Sequence, residues 1–151
     1  MSKMMRTILL RAAVVIMAIV LIYLTSMFFL NKKETAKSDG MIDVIVIDEK
    51  GLEVMHDKLS FYTGDTLLDV LKREYTVTCL APNQKVDKTC TQTFGFNNNE
   101  NVIILSINEV NTDFRNTYFA ILINGEYSTK GVMQIELKDG DVITFKVEEV
   151  R

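Results

Sequence analysis

The chain has 151 residues with a formal net charge of −3, one histidine, two cysteines, one proline and no tryptophan. That length allows one globular domain, with part of the chain spent elsewhere. All twenty Asp and Glu residues lie beyond position 31, against fourteen Lys and Arg there, a balance of −6 that argues against a nucleic-acid partner.

The run Ala12–Leu30, AAVVIMAIVLIYLTSMFFL, contains no charge. As a helix it would be about 28 Å long, close to the hydrocarbon thickness of a bilayer. It has no polar face, so a buried core helix fits badly. It ends in Met27, Phe28, Phe29 and Leu30 rather than the small residues of a cleavage site, and no cysteine follows to carry a lipid. The expectation is an uncleaved single-pass anchor over 12–30, after a cytoplasmic segment over 1–11. Lys3, Arg6 and Arg11 precede the span and favour the N-terminus inside, although Lys32, Lys33 and Lys37 follow it. Residues 31–40, NKKETAKSDG, read as a short polar linker to a domain over 41–151.

That domain reads mainly as strands. MIDVIVID turns through EKG into EVMHDKLSF, a first hairpin. GDTLLDVLKREY then gives one short amphipathic helix: Thr66 and Asp69 have capping-box spacing, and Leu67, Leu68, Leu71 and Tyr75 share a side. YTVTCLA and KTCTQTF are expected to form a two-stranded arm, followed by the apolar strand VIILSI. TYFAILI and EYSTKGVMQIEL flank Asn124-Gly125, a strong hairpin signal. DVITFKVEEV closes the chain, with Ile143, Phe145 and Val147 alternating against Thr144, Lys146 and Glu148. Met133, Ile135 and Leu137 repeat that alternation before the turn Lys138–Asp141. The expected class is α+β: a β-grasp-like mixed sheet with one short helix across it.

Cys79 and Cys90 flank a short polar loop. Either they are two separate buried thiols, or they form a disulfide in an oxidising compartment, which would put the domain outside the cell. Closing such a loop contributes roughly 3 kcal/mol.

In this order, GDTLLDVLKREY, FGF at 94–96, ILSIN at 104–108, TYFAILINGEYSTKGV and LKDGDVITFKV resemble the transcobalamin-like C-terminal domain. This is a bacterial family, mostly uncharacterised, whose members often follow a membrane anchor or export signal. The resemblance covers nearly all of 41–151 and implies a small β-grasp domain. In the vitamin carriers that share it, the domain covers one face of a corrinoid held against a separate helical domain. Two departures stand out. Phe119 replaces a tryptophan common before the Asn-Gly, which loses the indole donor, and these residues are expected to include no helical partner domain.

Catalytic and metal readings find little support. Cys79, His56 and Arg115 resemble the Cys–His–Arg set of sortases. However, TVTC is one residue short of that motif, and Cys79 has a disulfide partner to hand. Asp139-Gly140-Asp141 supplies too few oxygens for calcium, and His56 has no second histidine, so it is expected at a strand surface. No metal and no enzyme activity are expected. A ligand surface, if built, would draw on the FNNNEN loop with Asn98 and Asn99, on Tyr118 and Phe119, and on the hairpin tip from Asn124 to Tyr127. The expected function is non-catalytic: capture of a cobalamin-like or other small cofactor for a neighbouring transporter. The alternative is adhesion or assembly with a surface protein through an open sheet edge.

Overall fold

The computed structural model describes residues 16, 17, 20, 39–95 and 100–150. Ile16, Met17 and Val20 are helical and exposed. Apart from these three, the expected span over 12–30 lies outside the described residues, as do the first eight residues of the expected linker. Among the described residues no helix is long and apolar enough to cross a membrane. Residues from Ser38 onward form one compact unit.

That unit is α+β, mostly sheet, with one short helix. The strands are β1 (Gly40–Ile47), β2 (Glu53–Phe61), β3 (Val77–Leu80), β4 (Val86–Asp87), β5 (Ile103–Ile107), β6 (Val110–Asn111), β7 (Thr117–Ile123), β8 (Glu126–Tyr127) and β9 (Val142–Glu149). The helix α1 (Leu67–Glu74) follows β2. Five strands form a mixed sheet in the order β2-β1-β9-β7-β8, with β1 and β9 parallel at its centre. Ile42, Val44 and Val46 of β1 and Ile143 and Phe145 of β9 are fully buried, as period-two alternation requires of a sheet with one covered face. Leu67, Leu68, Val70 and Leu71 of α1 join the same core.

The helix start is the capping box expected. Thr66 Oγ1 accepts from the Asp69 amide at 3.2 Å, and Asp69 Oδ2 accepts from the Thr66 amide at 2.9 Å. At the other end Arg73 donates to the Ser60 carbonyl at 2.8 Å and to Asp65 at 2.9 Å, tying the helix to the end of β2.

Three expectations change. The expected two-stranded arm is instead part of a second sheet: β3 pairs with β4 on one side and β5 on the other, in the antiparallel order β4-β3-β5-β6. KTCTQTF is not a strand. The buried Asp87 carboxylate accepts from the amides of Thr89, Thr91 and Gln92 and from the Thr89 hydroxyl, which wraps the backbone around a side chain instead of a neighbouring strand.

In EYSTKGVMQIEL only Glu126 and Tyr127 pair. Beyond them Val132 and Ile135 are buried at a spacing of three in a turn, and the Val132 carbonyl accepts the Leu68 amide at the start of α1. Met133, Ile135 and Leu137 therefore belong to no strand: Ile135 is part of the core and the other two pack against it.

Cys79 and Cys90 are bonded, and both are buried. The Cys79 sulfur is thus not a free thiolate, which removes the nucleophile from a sortase-like reading. His56 lies on β2 with about half its side chain exposed, Nδ1 being 3.2 Å from Glu53.

Candidate functional site

The sheet face away from the helix is built by residues that alternate with the core. Tyr118 on β7 stands directly opposite Glu148 on β9. Its neighbour Phe119 points the other way, as strand geometry demands, and meets Phe145 edge-to-face at 6.2 Å. Phe119 is a core-side residue, so the two aromatics expected to act together face opposite sides of β7.

Tyr127 reaches the surface by a tight turn. Asn124 and Gly125 both have positive φ, 52° and 88°, the pattern of a type I′ hairpin. This turn sets Tyr127 opposite Leu122 and brings its hydroxyl to 2.6 Å from Glu148 Oε1. Lys146 Nζ donates to the same oxygen at 2.9 Å, and Tyr118 reaches Oε2 at 3.4 Å. Hydrogen bonds from Tyr127, then Lys146, hold the Glu148 carboxyl below its ordinary range. The same contacts raise the Tyr127 phenol and the Lys146 ammonium above theirs. At pH 7 Glu148 is therefore a carboxylate that accepts from the neutral Tyr127 phenol and from the Lys146 cation.

Asn124 has a different task. Its Nδ2 donates to Asp141 at 2.9 Å and its Oδ1 accepts from the Val142 amide at 2.9 Å. The carboxamide binds the hairpin turn to the Lys138–Asp141 turn. Asn98 and Asn99 lie outside the described residues.

Phe114 was not anticipated from the sequence. Its φ is +57° and its side chain is 43% exposed. A non-glycine residue in this region costs on the order of 1–3 kcal/mol and persists only when its surroundings enforce it. The enforcer is Asp113, whose Oδ1 accepts the amides of Arg115, Asn116 and Thr117 at 2.8–3.0 Å while Oδ2 takes the Asn116 side chain. These bonds hold the Asp113 carboxyl well below the ordinary carboxylate range. The sequence signal is an Asp followed by three amides in reach of its side chain, DFRNT, which reads equally well as an ordinary loop.

Phe114 and Tyr118 are shared by two hollows. One is an open shelf completed by Tyr127, Glu148, Glu149 and Val150. The other is an apolar slot of about 160 Å³ between β5 and β7, lined also by Val102, Ile104, Phe119 and Phe145. Among the described residues no three His, Cys, Asp or Glu side chains gather to hold a metal ion.

Residues 64–149 match the model of the family described as Domain of unknown function (DUF4430). The chain belongs to that family. The match runs from the glycine before α1 to the last residue of β9, so it includes every described side chain of the shelf except Val150. No curated protein matches the chain. Among solved structures, the chain is similar to one from Ruminococcus gnavus ATCC 29149 provisionally described as a metal binding protein. The identity is 20% and the TM-score 0.53, over 75% of this chain and all of the other. That likeness is one of fold. The chain is also similar to haptocorrin in complex with Cbi, at 15% identity and a TM-score of 0.46, over 76% of this chain and 27% of haptocorrin.

Proposed function

We propose that the chain is a membrane-anchored, non-catalytic binding module whose domain stands outside the cell and takes a small ligand on the Phe114–Tyr118–Tyr127 surface. The observation that carries this reading is the exposed aromatic cluster around Glu148, with Phe114 held in an unfavourable backbone conformation by the Asp113 turn.

Four further features support it. The order β2-β1-β9-β7 with a parallel central pair, and a helix after β2, is a β-grasp arrangement. The buried Cys79–Cys90 disulfide fits an oxidising compartment. The uncharged run 12–30 is long enough to anchor the chain, and the lysines and arginines before it favour an N-terminus inside. The resemblance to the transcobalamin-like domain makes a corrinoid one candidate ligand, passed on to a transporter in the same membrane.

A second reading, adhesion to another surface protein, draws on β2, a nine-residue strand at the edge of the mixed sheet.

Thermal unfolding of the full chain in a non-ionic detergent, against a panel of corrinoids and related cofactors, tests the first reading. A ligand at a hundred times its Kd adds about 2.7 kcal/mol, a shift on the order of 10 °C for a domain of this size. Silence across the panel, with crosslinking to a membrane neighbour, would favour adhesion.

A further inference from the structure

Tyr127 is pinned flat on the outer sheet face. It stands opposite Leu122 on β7, while its hydroxyl lies 2.6 Å from Glu148 on β9, which stands opposite Tyr118. The side chain therefore crosses β7 between positions 122 and 118, over Ala120, the residue of that face between them. Ala120 is accordingly only 5% exposed, whereas Tyr127 itself is 60% exposed. One face of the ring rests on a small side chain and the other is open. The turn and the hydroxyl bond fix this ring before any ligand arrives, so stacking on it costs little further ordering.

The groups around the ring favour neither sign of charge. Glu148 and Glu149 stand beside Lys146, Lys50 and Arg115. What this rim offers instead is both kinds of hydrogen-bonding partner. Among the described residues Glu148 Oε2 accepts only a long 3.4 Å bond from Tyr118, and the Lys146 ammonium, with three donors, gives one to Glu148 Oε1. Phe114 and Tyr118 add aromatic surface to the same open shelf.

A ligand suited to this shelf has a flat apolar face, an edge of groups that both donate and accept, and no net charge. A pyranose ring has that form. Its faces are C–H bonds, slightly positive and attracted to the negative face of an aromatic ring, and its hydroxyls lie around the edge. A nucleotide shares the flat face but adds phosphates, and a plain aromatic molecule lacks the hydroxyl edge.

We infer that the shelf, on the ligand-binding reading above, takes a neutral saccharide, with one pyranose ring stacked on Tyr127 and its hydroxyls bonded to Glu148 Oε2 and the Lys146 ammonium.

Cellotetraose is the probe, added to the full chain in a polyoxyethylene detergent, which contains no sugar, and followed by saturation-transfer NMR. Its ring hydroxyls are equatorial, so both faces of each ring are C–H surfaces. Mannitol keeps the hydroxyls without a ring. The β-1,4-linked tetramers of glucosamine and of glucuronate, in slightly acidic buffer, keep the ring and add positive or negative charge. Cellotetraose should bind at least about fivefold tighter than any of the three, with saturation reaching the C–H protons of one ring face most strongly. Tyr127→Ala should abolish binding. Tyr127→Phe, which keeps the ring and releases it from Glu148, should weaken binding less. Circular dichroism checks that each variant folds, and Val86→Ala, on β4 in the second sheet, should bind as the parent does.

Equal binding of mannitol would overturn the stacking, and equal binding of either charged tetramer would overturn the neutral class. Unchanged binding in folded Tyr127→Ala would overturn the location. Absence of cellotetraose binding, alongside a corrinoid melting shift that Tyr127→Ala abolishes, would overturn this inference and leave the binding module standing. Absence of both would remove both.

Discussion

The Tyr127 hydroxyl lies 2.6 Å from Oε1 of Glu148, although the two residues are twenty-one positions apart and on strands that do not pair with each other. The type I′ turn at Asn124-Gly125 makes this possible by folding β8 back along β7, so that a residue beyond the turn reaches across β7 to β9. The hairpin is therefore the device that assembles the surface.

Replacing Tyr127 with Phe keeps the ring and removes the donor. Glu148 then loses the first cause of its lowered pKa, so its carboxyl should titrate at higher pH. Carboxyl ¹³C shifts followed against pH would read this directly. An unchanged Glu148 titration would mean that Lys146 alone sets it.

Acid sensitivity should come chiefly from Asp87 and Asp113, each held well below the ordinary carboxylate range by hydrogen bonds. A lowered folded pKa gives stability that is present above the unfolded value near 4 and lost as pH falls through the folded one. The melting temperature should therefore fall from about pH 4 downward. Asp87→Asn should lower it at pH 7 and flatten that fall, because the amide presents one acceptor oxygen where the carboxylate presents two.

Cys79→Ala with Cys90→Ala removes the constraint on the loop between them. The expected loss is about 3 kcal/mol, or more than 10 °C in melting temperature. Chemical denaturation of the oxidised and double-alanine chains would give the number.

Gly131 has no room for a side chain. A Cβ there would fall 1.3 Å from Nδ2 of Asn101, whose Oδ1 accepts the amides of Val102 and Met133. Gly131→Ala should cost about 1–3 kcal/mol by displacing that carboxamide, and much less in an Asn101→Ala background. Equal costs in both backgrounds would place the clash elsewhere.

Phe114→Asn tests whether the left-handed residue serves binding. Asparagine tolerates this region, so relief of strain of about 1 kcal/mol or more offsets part of the apolar burial that the ring provides. The melting temperature should stay within several degrees of the parent while ligand binding disappears.

Much of this fold is legible in the sequence because local rules and the global fold agree. The capping spacing at Thr66 and Asp69, the Asn-Gly turn and the alternation in β1 and β9 each carry one physical meaning. Where they mislead, a partner outside any strand ladder has taken the backbone's hydrogen bonds. Asp87 gathers amides that a ladder would otherwise take, and the Val132 carbonyl serves the helix rather than the sheet. The site is less legible for a related reason. Strand alternation already separates Tyr118 from Phe119, but the meeting of Tyr127 with Glu148 depends on pairing between distant strands. Phe114 is raised by a loop whose composition is ordinary.

The most direct measurement is the melting temperature of the full chain and of its Tyr127→Ala variant, each with the panel of corrinoids and related cofactors. A shift on the order of 10 °C with one ligand in the parent, lost in a variant that still folds, is the result expected of a binding module with its site on this surface. No shift with any ligand, or the same shift in the variant, would contradict it.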